Sequence, residues 1–350
     1  AVHFIAIDGA GMSGVAAMYA RLGVPVTGSD QADSATLAEL RALGIGTFVG
    51  HDASQLGDAR TVVVSSAVRE TNPELAEARR RGLRVWHRSA ALAALMLGRT
   101  GVAVTGTHGK TTTSAMTATI LAGAGADPSW VVGAPLAATG RAWHLGAGAP
   151  FVVEADESDG SFRQYPAGVV VITNVEADHL DNWGTPQAYA DGFVALATSG
   201  TVETVVISAD DPGAVAITPA IRASGRTVVT FGESAGADVR LVSAEFPPAG
   251  ARAVLQAAGD VGEVVLAVPG RYNLHNVAAA YAAGRALGLP GPDLRAAAAA
   301  FRGTARRFQP VGEVAGVRIF DDYAHHPTEV AATLTAARGL VGTGRLVACF

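Results

Sequence analysis

Short apolar runs, each closed by glycine, serine or aspartate and followed by helical spacing, recur through the first half of the chain. The run 2–7 leads into a glycine-rich turn and a helix from about Met12. Runs at 24–27 and 61–64 are followed by Ser29-Asp30 and Ser65-Ser66. Strand then helix, repeated, predicts a parallel sheet wrapped by helices. Arg99-Thr100-Gly101 opens a second series, with β runs at 102–104, 151–153, 169–172 and 205–207, so a new domain is expected there. Between about Asp238 and Pro269 the spacing changes. The runs 239–242, 252–256 and 264–268 are short and partly alternating, as in an antiparallel subsheet. Helical spacing returns at 276–287 and 292–301, and Gly303-Thr304 reads as the next boundary. A last β-α unit starts at 317–320, and 346–350 reads as a buried strand. Two strands and one helix cannot cover both faces of a parallel sheet, so this unit is expected to be the truncated start of a larger domain.

Composition narrows the function. A chain of 350 residues, 49% of them apolar, is long enough for two or three domains, each with its own core. Its 31 acidic and 26 basic residues give a formal charge of −5, which argues against a general nucleic-acid or anionic-membrane binder. An anionic substrate must then be held locally, by backbone amides, a lysine or a metal. The single cysteine, Cys349, excludes an intrachain disulfide and suits a reducing cytoplasm. No apolar run approaches the roughly 20 residues that span a bilayer. No charged-then-apolar leader precedes the first strand, so a cytoplasmic protein without membrane insertion is expected. Oligomeric state is not legible.

The sharpest chemical signal is Val104-Thr105-Gly106-Thr107-His108-Gly109-Lys110-Thr111-Thr112. An apolar strand enters a glycine-bracketed turn, and Lys-Thr opens a helix. Glycines let backbone N–H groups face phosphate oxygens at a helix N-terminus, Lys110 can reach the β and γ phosphates, and the Thr111 hydroxyl can ligate Mg²⁺. The plainer alternative is a structural turn with a solvated lysine. Gly9-Ala10-Gly11-Met12-Ser13-Gly14 follows the first strand, with Asp30 closing the second, in the pattern of a dinucleotide fingerprint. A nicotinamide dehydrogenase is the rival it raises, although such an enzyme would not need a second phosphate loop. Glu154-Ala155-Asp156-Glu157-Ser158-Asp159 and Asn174-Val175-Glu176-Ala177-Asp178-His179-Leu180-Asp181 place carboxylates and an imidazole after strands. Such a set suits Mg²⁺ or Mn²⁺ beside ATP phosphates, because packed acids repel without a cation; taken singly, the same residues could be solvated loop acids and helix caps.

In this order, those segments resemble the ATP and metal motifs of the Mur ligases. Gly9–Gly14, Gly303-Thr304-Ala305-Arg306-Arg307-Phe308 and Asp321-Asp322-Tyr323-Ala324-His325-His326-Pro327-Thr328-Glu329 look like the alanine-adding branch of that family. The resemblance covers the whole chain. It implies an α/β fold with an N-terminal Rossmann-like domain for a UDP substrate (1–98) and a central P-loop-type ATPase domain of mostly parallel sheet with a small antiparallel subsheet (99–303). A C-terminal Rossmann-like amino-acid domain would begin at 304–350. It further implies ATP-dependent joining of L-alanine to the carboxylate of UDP-N-acetylmuramate in peptidoglycan synthesis. A sister ligase adding a peptide and a non-catalytic nucleotide-binding module remain open, and little ligation is expected from these 350 residues alone.

Carried over residue by residue, the resemblance gives Gly106, Thr107, His108, Gly109, Lys110, Thr111, Thr112, Asn273, Asn276 and Asp321 to ATP. Thr111, Glu154 and His179 would hold the metal, and Arg306 or Arg307 would reach phosphate. Tyr323 and His325 would line the amino-acid pocket. Gly9, Gly11, Met12, Ser13, Gly14, Asp30, Ser65 and Ser66 would contact the UDP part. Ala6 and Asp8 stand where the family usually has glycine, and no lysine follows Asp181 that could be carbamoylated.

Overall fold

The computed structural model describes residues 1–9, 11–247 and 250–350. A parallel sheet, a mixed sheet and one hairpin organise them. The first sheet holds β1 (Val2–Ile5), β2 (Val26–Asp30), β3 (Gly46–Val49), β4 (Thr61–Val64) and β5 (Arg84–His87) in the order β3-β2-β1-β4-β5. Helices α1 (Met12–Arg21), α2 (Ala35–Ala42), α3 (Pro73–Arg80) and α4 (Arg88–Met96) connect or follow these strands. The strand order reverses at β1, which creates a crevice beyond the carboxyl ends of β1 and β4, where ligands bind in open α/β sheets. The expected first strand, 2–7, stops at Ile5 because Ala6 turns into the left-handed region at φ +60°.

The second sheet has ten strands: β6 (Thr100–Thr105), β7 (Ser129–Val131), β8 (Trp143–His144), β9 (Pro150–Glu154), β10 (Ala167–Ile172), β11 (Thr204–Ser208), β12 (Thr227–Gly232), β13 (Val239–Glu245), β14 (Ala251–Ala257) and β15 (Asp260–Leu266). Strands β9, β6, β10, β11 and β12 run parallel, and β13, β14 and β15 form the antiparallel end. Helices α5 (Lys110–Gly123), α9 (Arg271–Ala286) and α10 (Gly291–Ala298) pack together, while α6 (Leu180–Trp183), α7 (Pro186–Ala197) and α8 (Pro212–Ala223) complete the unit. Pleating sends Val102 and Val104 of β6 into the same apolar cluster as α5 and α9, and Ala103 into the opposite one with Phe162 and Phe193. Pairing of Val104 with Glu154 and of Thr105 with Ile172 aligns the carboxyl ends of β9, β6 and β10. That register places three loops side by side.

The remainder differs from expectation in detail. β16 (Gln309–Val314) and β17 (Val317–Asp321) pair with each other, antiparallel, and α11 (Pro327–Val341) follows. Residues 346–350 form no strand; Val347 and Phe350 are 64% and 97% exposed. Among the described residues no strand offers 346–350 a ladder to pair with. Strand 264–268 begins earlier, at Asp260, and helix 276–287 at Arg271, whose first turn follows Gly270 at φ +101°.

Candidate functional site

The phosphate-loop sequence sits between β6 and α5. Gly106 adopts φ +131°, and a Cβ there would fall on Thr173 Oγ1; Gly109 adopts φ +80°. Only glycine takes the first conformation freely, so the turn is written into these positions. No side chain caps the 14-residue α5, so its leading N–H groups remain available to an anion. The loop is braced from β10. Asn174 Oδ1 accepts the His108 N–H at 2.8 Å while its amide donates to the His108 carbonyl at 3.0 Å, and Thr173 Oγ1 donates to the same carbonyl. Thr107 Oγ1 accepts from the Glu176 N–H at 2.9 Å.

Lys110 is 15% exposed and its ammonium donates to the carbonyls of Gly106 and Thr107. It also straddles the carboxylate of Glu157, 3.0 Å from Oε1 and 2.9 Å from Oε2. Glu157 is fully buried and takes a further hydrogen bond from Tyr189 Oη at 3.2 Å. Burial raises this carboxyl above the ordinary carboxylate range, and the Lys110 ammonium pulls back against that. The Tyr189 hydroxyl is pushed up as well, by burial and then by Glu157.

Beside the lysine, Thr111 Oγ1 donates to Glu154 Oε1 at 2.9 Å, and Gly133 N–H donates to Glu154 Oε2 at 2.5 Å. A Cβ on Gly133 would lie 2.6 Å from that carboxylate, so glycine is what lets the backbone approach. Arg307 reaches across from the last segment, its Nη2 3.4 Å from Thr111 Oγ1. A cavity of about 860 Å³ opens over this corner. His108, Gly109, Thr111, Thr112, Asn273 and Asn276 line it, together with Arg307 and Asp322. Asn273 and Asn276 are buried at the start of α9, and Asn273 donates to the Pro269 carbonyl at 2.6 Å.

The other expected residues make contacts of their own. His179, a helix-start residue at φ +51°, faces Asp178 at 3.7 Å, and it is not among the contacts of Thr111 or Glu154. The described histidine and carboxylate donors that converge within 4.8 Å are instead His108, Glu176 and His326. Arg306 stacks on Tyr323, 4.4 Å from guanidinium to ring centre, and its side chain is turned toward that ring. Asp322 rather than Asp321 lines the cavity, with its carboxylate accepting the N–H groups of Phe308 and Ala324 at 2.7 Å. Tyr323 and His325 pack together, 5.2 Å between ring centres, on an exposed part of the same loop.

In the first sheet, Ser13 N–H donates to the Gly9 carbonyl at 3.0 Å, and the Arg88 guanidinium occupies the space where a Cβ on Gly11 would project. Met12 is buried in the core and Gly14 lies against Trp143, so both pack the turn rather than line it. Asp30 accepts the N–H of Asp8 at 2.9 Å and that of Gln31 at 2.8 Å. Ser66 Oγ donates to Asp159 at 2.8 Å and sits 3.2 Å from His87 Nε2, joining the two sheets. Ser65 contributes a turn carbonyl to Val68 N–H at 3.1 Å. His87 and Arg88 also face this corner, and neither stood out in the sequence. Their signal was positional: His87 ends β5 and Arg88 opens α4, beside β4 at the crevice where the strand order reverses.

Family models match three successive stretches: the Mur ligase catalytic domain over 1–100, the middle domain over 104–284 and the glutamate ligase domain over 306–350. The chain belongs to the Mur ligase family. A UDP-N-acetylmuramate–L-alanine ligase from Cutibacterium acnes is 63% identical over 351 residues, which is 100% of this chain and 74% of that protein. Among solved Mur ligases, the UDP-N-acetylmuramate–alanine ligase of Thermotoga maritima superposes with a TM-score of 0.85 at 31% identity, covering 97% of this chain and 78% of that one. The murein peptide ligase of Psychrobacter arcticus gives 0.80 at 25% identity, covering 98% and 76%. Among the described residues of this Mur ligase, no helix is long and apolar enough to cross a membrane.

Proposed function

We propose that this Mur ligase uses ATP to join L-alanine to the carboxylate of UDP-N-acetylmuramate, a step of peptidoglycan synthesis in the cytoplasm. The observation that carries the reading is the start of α5, free of a side-chain cap, whose Thr111 and Thr112 line a cavity of about 860 Å³, with Lys110 and Glu154 beside them. It occurs in a chain 63% identical along its length to a relative of that name. The domains are read as UDP-substrate binding over 1–98, ATP binding over 99–303 and amino-acid binding from 304. The crevice by Gly9, Gly11, Ser66, His87 and Arg88 takes the nucleotide sugar, with Arg88 offsetting the diphosphate charge.

The residues at the phosphate loop fit a divalent ion. The Thr111 hydroxyl and Glu154 carboxylate are hard oxygen donors 2.9 Å apart, in a cradle that a side chain on Gly133 would fill. When bound, Mg²⁺ would neutralise phosphate charge there. The muramoyl carboxylate attacks the γ-phosphate of ATP, giving an acyl phosphate and ADP. The alanine amine then adds to the acyl carbon, loses a proton and expels phosphate from the tetrahedral intermediate. A carboxylate is a poor electrophile, and phosphorylation supplies its leaving group. The chain's own contribution is position and charge: loop amides and Lys110 hold the phosphates in line, and Arg307 stabilises negative charge as it builds. In the full-length protein, phosphate release should require UDP-N-acetylmuramate and L-alanine together. Release with a peptide but not with alanine would overturn the alanine assignment, and release indifferent to both would overturn the ligase reading.

A further inference from the structure

None of the 15 residues of α11 is fully buried, so no apolar core fixes its start against the phosphate loop. A polar clasp does. His108 presents both ring nitrogens to carboxylates: Nε2 lies 3.0 Å from Glu176 Oε2, and Nδ1 lies 3.2 Å from Glu329 Oε1. Ionised carboxylates only accept, so satisfying both contacts requires a proton on each nitrogen, an imidazolium between two acids. The His326 ring lies 4.6 Å from that of His108, and Thr328 Oγ1 donates to Glu176 Oε1 at 3.0 Å. The clasp therefore unites the phosphate loop, the segment after β10 and the first turn of α11. Asn174 and Thr173 fix the His108 N–H and carbonyl, so the ring projects from a braced part of the loop.

We propose that His108 is a positioning residue, whose ring ties the third-domain helix to the phosphate loop. Nucleotide binding and docking of the segment that carries Tyr323 and His325 then reinforce each other. The coupling half of this proposal rests on reading the cavity as the ATP site. A nucleotide that orders the loop fixes the ring that holds α11, and a docked α11 closes one wall of the cavity, where Thr328 and Glu329 lie. Coupling is reciprocal, so each event must favour the other by the same factor.

The test follows amide hydrogen exchange across α11 and ATP affinity in the unaltered protein, His108→Asn, Glu329→Gln and the double variant. Exchange in α11 should quicken in His108→Asn, although the altered residue is 221 positions from Glu329. ATP affinity should fall about tenfold in either single variant, inside the usual range for coupled sites, and little further in the double. ATP should slow α11 exchange in the unaltered protein and lose that effect in the variants. Unchanged α11 exchange in His108→Asn would overturn the clasp. So would losses that multiply in the double variant, or an affinity loss confined to His108→Asn, since His108 would then serve the loop alone. Failure of the unaltered protein to bind ATP would strike the ATP reading and with it the coupling, while the exchange result still decides the clasp.

Discussion

Glu157→Gln removes one charge from beneath the phosphate loop while keeping the side chain's shape. In the folded protein Lys110 would then face two carbonyls and an amide, with its counter-charge gone. Breaking a buried pair by deleting one partner costs about 3–5 kcal/mol, but glutamine is cheaper to bury than glutamate and still offers an acceptor to Lys110 or Tyr189. The net loss should be about 2 kcal/mol. For a domain of this size that corresponds to roughly 5 °C in the melting transition. ATP changes the balance. If the triphosphate meets Lys110, it supplies the anion the variant lacks, so ATP should raise the melting temperature more in Glu157→Gln than in the unaltered protein. Thermal unfolding with and without saturating MgATP measures both quantities. Equal or smaller stabilisation by ATP in the variant would refute the idea that Glu157 and phosphate share Lys110.

Other consequences are equally direct. Ala6 sits at φ +60°, where an L side chain costs about 1–2 kcal/mol, so Ala6→Gly should raise stability by about 1 kcal/mol in denaturant unfolding; a loss would contradict the strain. Gly133→Ala places a methyl 2.6 Å from the Glu154 carboxylate and should raise the Mg²⁺ concentration needed for turnover while leaving the fold intact, as circular dichroism would verify. Docking of α11 should depend on pH from both sides. Burial works against ionisation of Glu329, but His108 outweighs it and holds the carboxyl at about 2, so this contribution is present above the ordinary 4.5 and lost as pH falls through about 2. Burial opposes protonation of His108, but Glu329 and Glu176 outweigh it and raise the imidazole above 6.5, so its contribution is full below 6.5 and lost as pH rises through the raised value. With Glu176, His325, His326 and Arg307 the other charged or titratable neighbours, α11 protection in hydrogen exchange should peak between pH 4.5 and 6.5.

Much of this was legible in the sequence because it depends on local chemistry. Gly106 and Gly109 announce a turn that only glycine makes freely, and the strand before them and Lys-Thr after them place it at a helix start. The antiparallel end of the central sheet showed in alternating residues such as those of β14. Pairings between distant segments were not legible. Nothing local distinguishes Glu157, which meets Lys110, from Glu154, which meets Thr111; the pleat and the turn after β9 decide it. His108 read as one more phosphate-loop residue, and its partner Glu329 lies 221 positions away on α11. Asp321 and Asp322 differ only in which side of the backbone faces the cavity, and 346–350 carried a strand's composition without a strand to pair with.

The account stands on the phosphate loop holding ATP through Lys110. Calorimetric titration of MgATP into the unaltered protein and into Lys110→Ala, with melting curves for both, tests it most directly. Affinity should fall at least about tenfold, the loss of a charge-assisted contact, with both proteins folded. A folded Lys110→Ala protein that binds MgATP as tightly as the original would contradict it.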